Sequence, residues 1–285
     1  MLDYEAEYNN RARVPEHPDI FSRWARDAQA FRADASTESR AELGIGYGTS
    51  PRQIIDLFAP AGGTQAPLAM FVHGGYWRSL EPQMFSHMAR GLNARGVCVA
   101  VAGYDLCPQV RITDIVGQVR QACLYLWHRF GRRVLVSGHS AGGHLAACML
   151  ATDWKSFAPD VPADLVPCAY SVSGVFDLAP LCGVSMNADL RLDEAEAQAM
   201  SPCGWPVTQG RVLDVVVGAQ ESSEFLRQSR NIADVWRRGG AETRYEELAG
   251  MNHFTVLDAM ADADSAMTAR LAALAERTQG NPLSP

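Results

Sequence analysis

The chain has 285 residues, 47% of them hydrophobic, enough to bury one large core. A net charge of −7 with no basic stripe excludes a nucleic-acid binder, because nothing is placed to neutralise phosphates. The seven cysteines are odd in number, scattered, and form no Cys-x-x-Cys pair, so buried free thiols in a reducing cytoplasm are expected rather than a disulfide framework.

The start, Met1-Leu2-Asp3-Tyr4-Glu5, has acidic residues and no apolar h-region, so no secretory signal is expected. No apolar stretch reaches the length of a membrane span, and a cytoplasmic protein is the expectation. Within residues 1–45, Ile20, Phe21, Trp24, Ala28 and Phe31 recur at helical spacing among arginines and Asp27. This predicts a helical N-terminal segment, either packed across the body or capping a site. From residue 53 the pattern alternates. Strands are predicted at 53–59, 67–73, 97–102, 133–138, 166–172, 211–218 and 243–248. Helices are predicted at 83–95, 112–130, 141–152, 223–239 and 255–276. Such alternation gives an α/β class: a mostly parallel central sheet with helices on both faces, in one domain over 1–285. Residues 176–206 hold three prolines and no clear period, where a cap or substrate-selecting loop would lie. The tail from Thr278 to Pro285 is expected to fray.

Gly138-His139-Ser140-Ala141-Gly142 stands between the apolar run Val134-Leu135-Val136 and a stretch rich in helix formers. Strand, sharp turn, helix is the context of a nucleophile elbow. Glycines are needed because the turn leaves no room for a Cβ beside the serine, and the turn lifts Ser140 Oγ clear of the sheet. The plain alternative is a tight turn that happens to hold a serine.

A nucleophilic serine needs a base and an acid, which follow it in the α/β-hydrolase chain order. Only His144 and His253 lie downstream of Ser140, and His144 is too close in the chain. His253, in Gly250-Met251-Asn252-His253-Phe254 between the last predicted strand and helix, is the expected base. For the acid, Glu221 follows the strand 211–218 at the right edge of the sheet. Asp214, inside that strand, and Glu224, in the first turn of the next helix, are its rivals. The run Leu68–Val72 leads into His73-Gly74-Gly75-Tyr76-Trp77, an oxyanion loop of lipase and esterase type. Gly75 and Tyr76, with Ala141, are the expected N–H donors, and Gly74 sets the turn. Gly74, Tyr76 and Trp77 are expected at the substrate, the two aromatics either stacking on an aryl leaving group or packing under the loop. His73 and His144 read as structural. No His-Glu-x-x-His or other metal pattern occurs, and no metal or cofactor is expected.

His73-Gly74-Gly75-Tyr76-Trp77 together with Gly138-His139-Ser140-Ala141-Gly142 resembles the kynurenine formamidase (arylformamidase) family. Tyr104-Asp105-Leu106-Cys107-Pro108, Ser173–Leu178 and Ser223–Ser229 are similar too, so the resemblance spans about residues 47 to 260. It implies an α/β-hydrolase fold and cleavage of an N-formyl aryl amine, with N-formylkynurenine giving kynurenine and formate. Where animal members carry aspartate, this chain has Glu221, whose carboxylate reaches one methylene further. The expected partner is a small aryl formamide or ester, with no nucleic acid and no membrane, and a homodimer left open. A carboxylesterase for short-chain or aryl esters and a non-catalytic ligand binder on the same scaffold are the other readings.

Overall fold

The computed structural model describes residues 2–280, so residues 281–285 of the tail lie outside the described residues. The chain opens with two short helices, α1 (Tyr4–Tyr8) and α2 (Asn10–Arg13), and a long one, α3 (His17–Thr37). α3 buries Ile20, Trp24, Ala28, Phe31 and Ala35 along one stripe, as its apolar spacing predicts. The stripe lies on the sheet side: Trp24 meets Phe85 at 5.4 Å between ring centres, and Phe31 meets Phe58 at 5.1 Å.

The rest alternates. In chain order come β1 (Ala41–Gly46), β2 (Ile54–Phe58), β3 (Leu68–Val72), α4 (Ala89–Ala94), β4 (Cys98–Ala102), α5 (Ile112–Phe130), β5 (Leu135–His139) and α6 (Ala141–Leu150). Then follow α7 (Trp154–Phe157), β6 (Cys168–Val172), α8 (Asn187–Leu190), α9 (Glu194–Ala199), β7 (Val212–Gly218), α10 (Ser223–Arg238), β8 (Glu242–Leu248) and α11 (Ala266–Arg277). The strands form one sheet in the order β1-β2-β4-β3-β5-β6-β7-β8. β1 and β2 run antiparallel to their neighbours; every pairing from β4 to β8 is parallel. Every residue of β3, β4, β5 and β6 is buried. That is why β3 and β4 read as unbroken apolar runs and β5 and β6 as mainly apolar ones: helices cover both faces of a parallel sheet.

Four expectations need correction. Residues 41–46 are an edge strand, not part of a helical segment; β1 exposes Glu42, Leu43 and Gly44 and so lacks the apolar alternation that marks a strand. The helix expected at 83–95 is a 3-10 segment, Pro82–Met88, followed by the short α4. The helix expected at 255–276 is split into a 3-10 segment, Thr255–Ala261, and α11. Ser265 caps α11 by accepting from Thr268 N at 3.0 Å, which restarts the helix there. The tail is bound at its start: Thr278 is buried and donates to Ala275 O at 2.7 Å, and Gln279 donates to Arg133 O at 3.1 Å.

The segment 176–206 folds as short 3-10 and helical turns around α8 and α9. Gln228 Oε1 accepts from Phe176 N at 2.6 Å and Asp177 N at 2.8 Å, and Arg111 pairs with Asp193 and Glu196. These bonds anchor the segment to α10 and to the start of α5. The cysteines are all free, with five buried and two half-buried. Among the described residues, no helix is long and apolar enough to cross a membrane.

Candidate active site

Ser140 sits between the end of β5 and the first turn of α6, with φ 55° and ψ −117°. A non-glycine residue there is strained by about 1–3 kcal/mol, and the surroundings must hold it. They do so through backbone bonds: Ser140 N donates to Val172 O at 2.8 Å, and His144 N donates to Ser140 O at 3.0 Å. The flanking glycines are required by packing. A Cβ on Gly138 would lie 2.2 Å from Gly142 O, and one on Gly142 would lie 1.9 Å from Val72 O. β3, β5 and α6 therefore touch through bare backbone.

Three strand ends meet at this edge. Ser140 follows β5, Glu221 follows β7, and His253 follows β8. His253 Nδ1–H donates to Glu221 Oε2 at 2.6 Å. Glu221 Oε1 accepts from Ser173 Oγ at 2.5 Å and from Gly218 N at 2.7 Å. The carboxylate is thus held on both oxygens, and it locks the tautomer in which His253 Nε2 carries a lone pair. The rivals for this position are committed elsewhere. Buried Asp214 is clamped by Arg270 at 2.7 and 3.0 Å. Glu224 accepts from Arg227 at 2.6 and 2.8 Å and from Tyr8 Oη at 2.8 Å.

His253 is wedged between rings, with Phe225 and His139 each 4.7 Å away between centres. His139 Nε2–H donates to the backbone O of His253 at 2.7 Å. Burial, reinforced by the neighbouring His253 ring, holds the His139 imidazole well below its usual range, so it stays neutral. Hence the ring packed beside His253 carries no positive charge of its own.

The loop after β3 turns through consecutive left-handed residues: Gly75 at φ 110°, Tyr76 at 49° and Trp77 at 53°. At Gly75 a Cβ would meet Ser79 O at 2.3 Å, so only glycine fits. Among the described residues, no backbone carbonyl accepts from the N–H of Gly75, Tyr76 or Ala141. Ala141 N opens α6, at the positive end of that helix. His73 organises the loop, stacked between Tyr104 (4.4 Å) and Phe85 (5.8 Å), with its Nδ1 2.7 Å from Gly74 O. His144 donates to Met200 O at 2.7 Å behind the elbow. Burial lowers both imidazoles to about 4, so both are neutral and structural.

Gly75, Tyr76, His139, Ser140 and His253 line one pocket. Its other walls include Tyr8, Phe21, Trp24 and Phe254. Two expectations for the substrate shell are corrected. Trp77 is fully buried and packs edge-on against His144 at 5.0 Å, because its left-handed backbone turns the indole inward. Gly74 is not among the lining residues; a Cβ there would come 2.8 Å from His139 O, so it serves the close approach of the loop to the elbow. Tyr76 does line the pocket, and its Oη donates to Tyr8 O at 2.7 Å. Among the described residues, no group of three His, Cys, Asp or Glu side chains gathers to hold a metal ion.

The α/β hydrolase fold family model matches residues 69–257. The chain is 33% identical to the kynurenine formamidase of Drosophila melanogaster, over 75% of each chain. This chain belongs to the kynurenine formamidase family of α/β-hydrolases. The Danio rerio kynurenine formamidase is 28% identical over 82% of each chain. A crystal structure from Silicibacter, provisionally named a thioesterase, superposes with a TM-score of 0.82 at 34% identity, covering 94% of this chain and 98% of that one.

Within this kynurenine formamidase-family site, three lining residues and the role of Ser173, which holds Glu221 from outside the pocket, escape a reading of motifs. Tyr8, Phe21 and Trp24 come from the N-terminal segment, more than a hundred residues before the elbow. Ser173 lies at the end of β6, and its φ of 53° turns the hydroxyl onto Glu221. Its place at a strand end beside β5 and β7 is a signal that strand order alone would have supplied.

Proposed function

We propose that the chain is a serine hydrolase that removes the formyl group from an aryl formamide of the N-formylkynurenine type. The observation that carries this reading is the 2.6 Å bond to Glu221 from Nδ1 of His253, which lines the same pocket as strained Ser140. His253 Nε2 takes the Ser140 proton as Oγ bonds to the formyl carbon. The developing oxyanion is stabilised by the N–H groups of Gly75, Tyr76 and Ala141, each worth about 3 kcal/mol in such a site. The carbon–nitrogen bond then breaks, and His253 returns its proton to the leaving aryl amine. Water, deprotonated by His253, attacks the formyl ester and releases formate and Ser140. Phe21, Trp24 and Phe254 form an aromatic wall suited to the aryl leaving group, Phe21 meeting Phe254 edge-on at 5.1 Å.

The N-terminal segment and 176–206 act as a cap in this reading. Glu5 on α1 accepts from Ser185 N at 2.7 Å and Ser185 Oγ at 2.6 Å, and both residues line the pocket. A second reading, acyl-ester or thioester hydrolysis with the same parts, is supported by the Silicibacter structure's name. The test is kcat/KM for N-formylkynurenine beside p-nitrophenyl acetate, on the wild type and Ser140→Ala. Formamide preference lost in the variant supports the formamidase; ester turnover without formamide cleavage favours the second reading.

A further inference from the structure

The pocket's charged rim is uneven. Three charged side chains line it: Glu5, Arg11 and Arg78. Arg78 is ion-paired with Asp189, so its charge is already met. Glu5 is held by both polar groups of Ser185, which keep its carboxyl below the usual range and therefore ionised. Arg11 differs. It is exposed on α2, and among the described residues it forms no ion pair and no side-chain hydrogen bond. Its guanidinium lies 5.8 Å from the centre of the Phe21 ring. Phe21 belongs to the same aromatic wall, against Phe254 and, at 5.3 Å, Trp24. The stack fixes the direction of the arginine while leaving its forked N–H donors free.

We infer that Arg11 is a specificity residue that binds the carboxylate of an aryl formamide bearing an amino-acid side arm. The inference rests on the formamidase reading and adds to it which part of the substrate is recognised, and by what. An aryl ring laid on the wall beside Ser140 carries its substituents outward, towards the rim. An anionic group there meets one uncommitted guanidinium, whose planar fork matches a carboxylate through two parallel N–H···O bonds. An ammonium on the same arm has ionised Glu5 as its counterpart on the same cap.

The experiment compares two substrates with the same scissile bond: N-formylkynurenine, and formanilide, which lacks the charged arm. Wild type, Arg11→Met and Arg11→Lys are assayed on both. Arg11→Met is expected to raise KM for N-formylkynurenine about 10- to 100-fold, the worth of a charge-assisted bond, with kcat little changed. Formanilide kinetics should stay at wild-type values, and Arg11→Lys should recover part of the loss. Equal losses on both substrates would mark a structural role and overturn the assignment, as would unchanged KM on both. A wild type that cleaves formanilide better than N-formylkynurenine overturns the role of Arg11 while the formamidase reading stands. A wild type inactive on both formamides removes the formamidase reading and this inference with it.

Discussion

Replacing Glu221 by Gln probes the site at one atom. Glu221 Oε1 accepts two bonds, from Ser173 Oγ at 2.5 Å and Gly218 N at 2.7 Å. An amide must keep its carbonyl oxygen on that side, because Gly218 N–H can only donate. The NH2 group is then forced to face His253 Nδ1, where Oε2 now accepts at 2.6 Å. Two donors cannot share a bond, so His253 must present a lone pair at Nδ1 and carry its proton on Nε2. In that tautomer it cannot accept the proton of Ser140. The wrong tautomer in a serine triad lowers kcat by about four orders of magnitude, close to 5.5 kcal/mol of transition-state stabilisation. KM should change little, since Glu221 is not among the residues lining the pocket. The assay is steady-state hydrolysis of N-formylkynurenine, with far-UV circular dichroism to check the fold. Asp214→Asn is the control: it weakens the clamp to Arg270 and lowers stability while leaving kcat near wild type. A Glu221→Gln enzyme within about tenfold of wild type, or an Asp214→Asn enzyme that loses kcat instead, would refute the reasoning.

Three further outcomes are expected. Gly142→Ala drives a Cβ to 1.9 Å from Val72 O in rigid strand backbone, so it should cost about 3 kcal/mol or more and lower Tm by roughly 10 °C in thermal unfolding. His139→Leu removes the donor to the His253 carbonyl and should cut kcat about tenfold, while His139→Gln, which keeps an N–H at that reach, should recover most of it; equal activity in the two variants would reject a positioning role. His73, His87 and His144 are each lowered by burial to about 4 in the folded state, so between pH 6.5 and 4 the unfolded chain binds more protons than the folded one. Stability from these groups is therefore complete above about pH 6.5 and is lost as pH falls towards 4, with about three protons taken up on unfolding; denaturant titrations at pH 7, 6 and 5 that show no decline would contradict their burial as neutral rings.

The sequence by itself determined whatever depends on consecutive residues. The elbow at Gly138–Gly142 is written in nearby positions, because a strained serine with a glycine two residues away on either side is a local backbone requirement. The buried strands were legible for a similar reason: parallel strands covered on both faces are mainly apolar along their whole length. The chain order serine, acid, histidine pointed to Glu221 and His253, yet it left Asp214 and Glu224 open. Only the fold shows Asp214 spent on Arg270 and Glu224 held by both Arg227 and Tyr8: Arg270 and Tyr8 come from distant segments and leave no periodic trace, while the i,i+3 spacing of Glu224 and Arg227 permits their pair without requiring it. The same holds for the direction of Trp77, where a left-handed φ sends the indole to the core although its neighbour Tyr76 faces the pocket. Edge strand β1 was illegible because its exposed residues are under no pressure to be apolar. The pocket wall lay furthest from reach: Tyr8, Arg11, Phe21 and Trp24 approach Ser140 because the N-terminal helices fold back over the strand ends, a long-range packing decision that buries the stripe of α3.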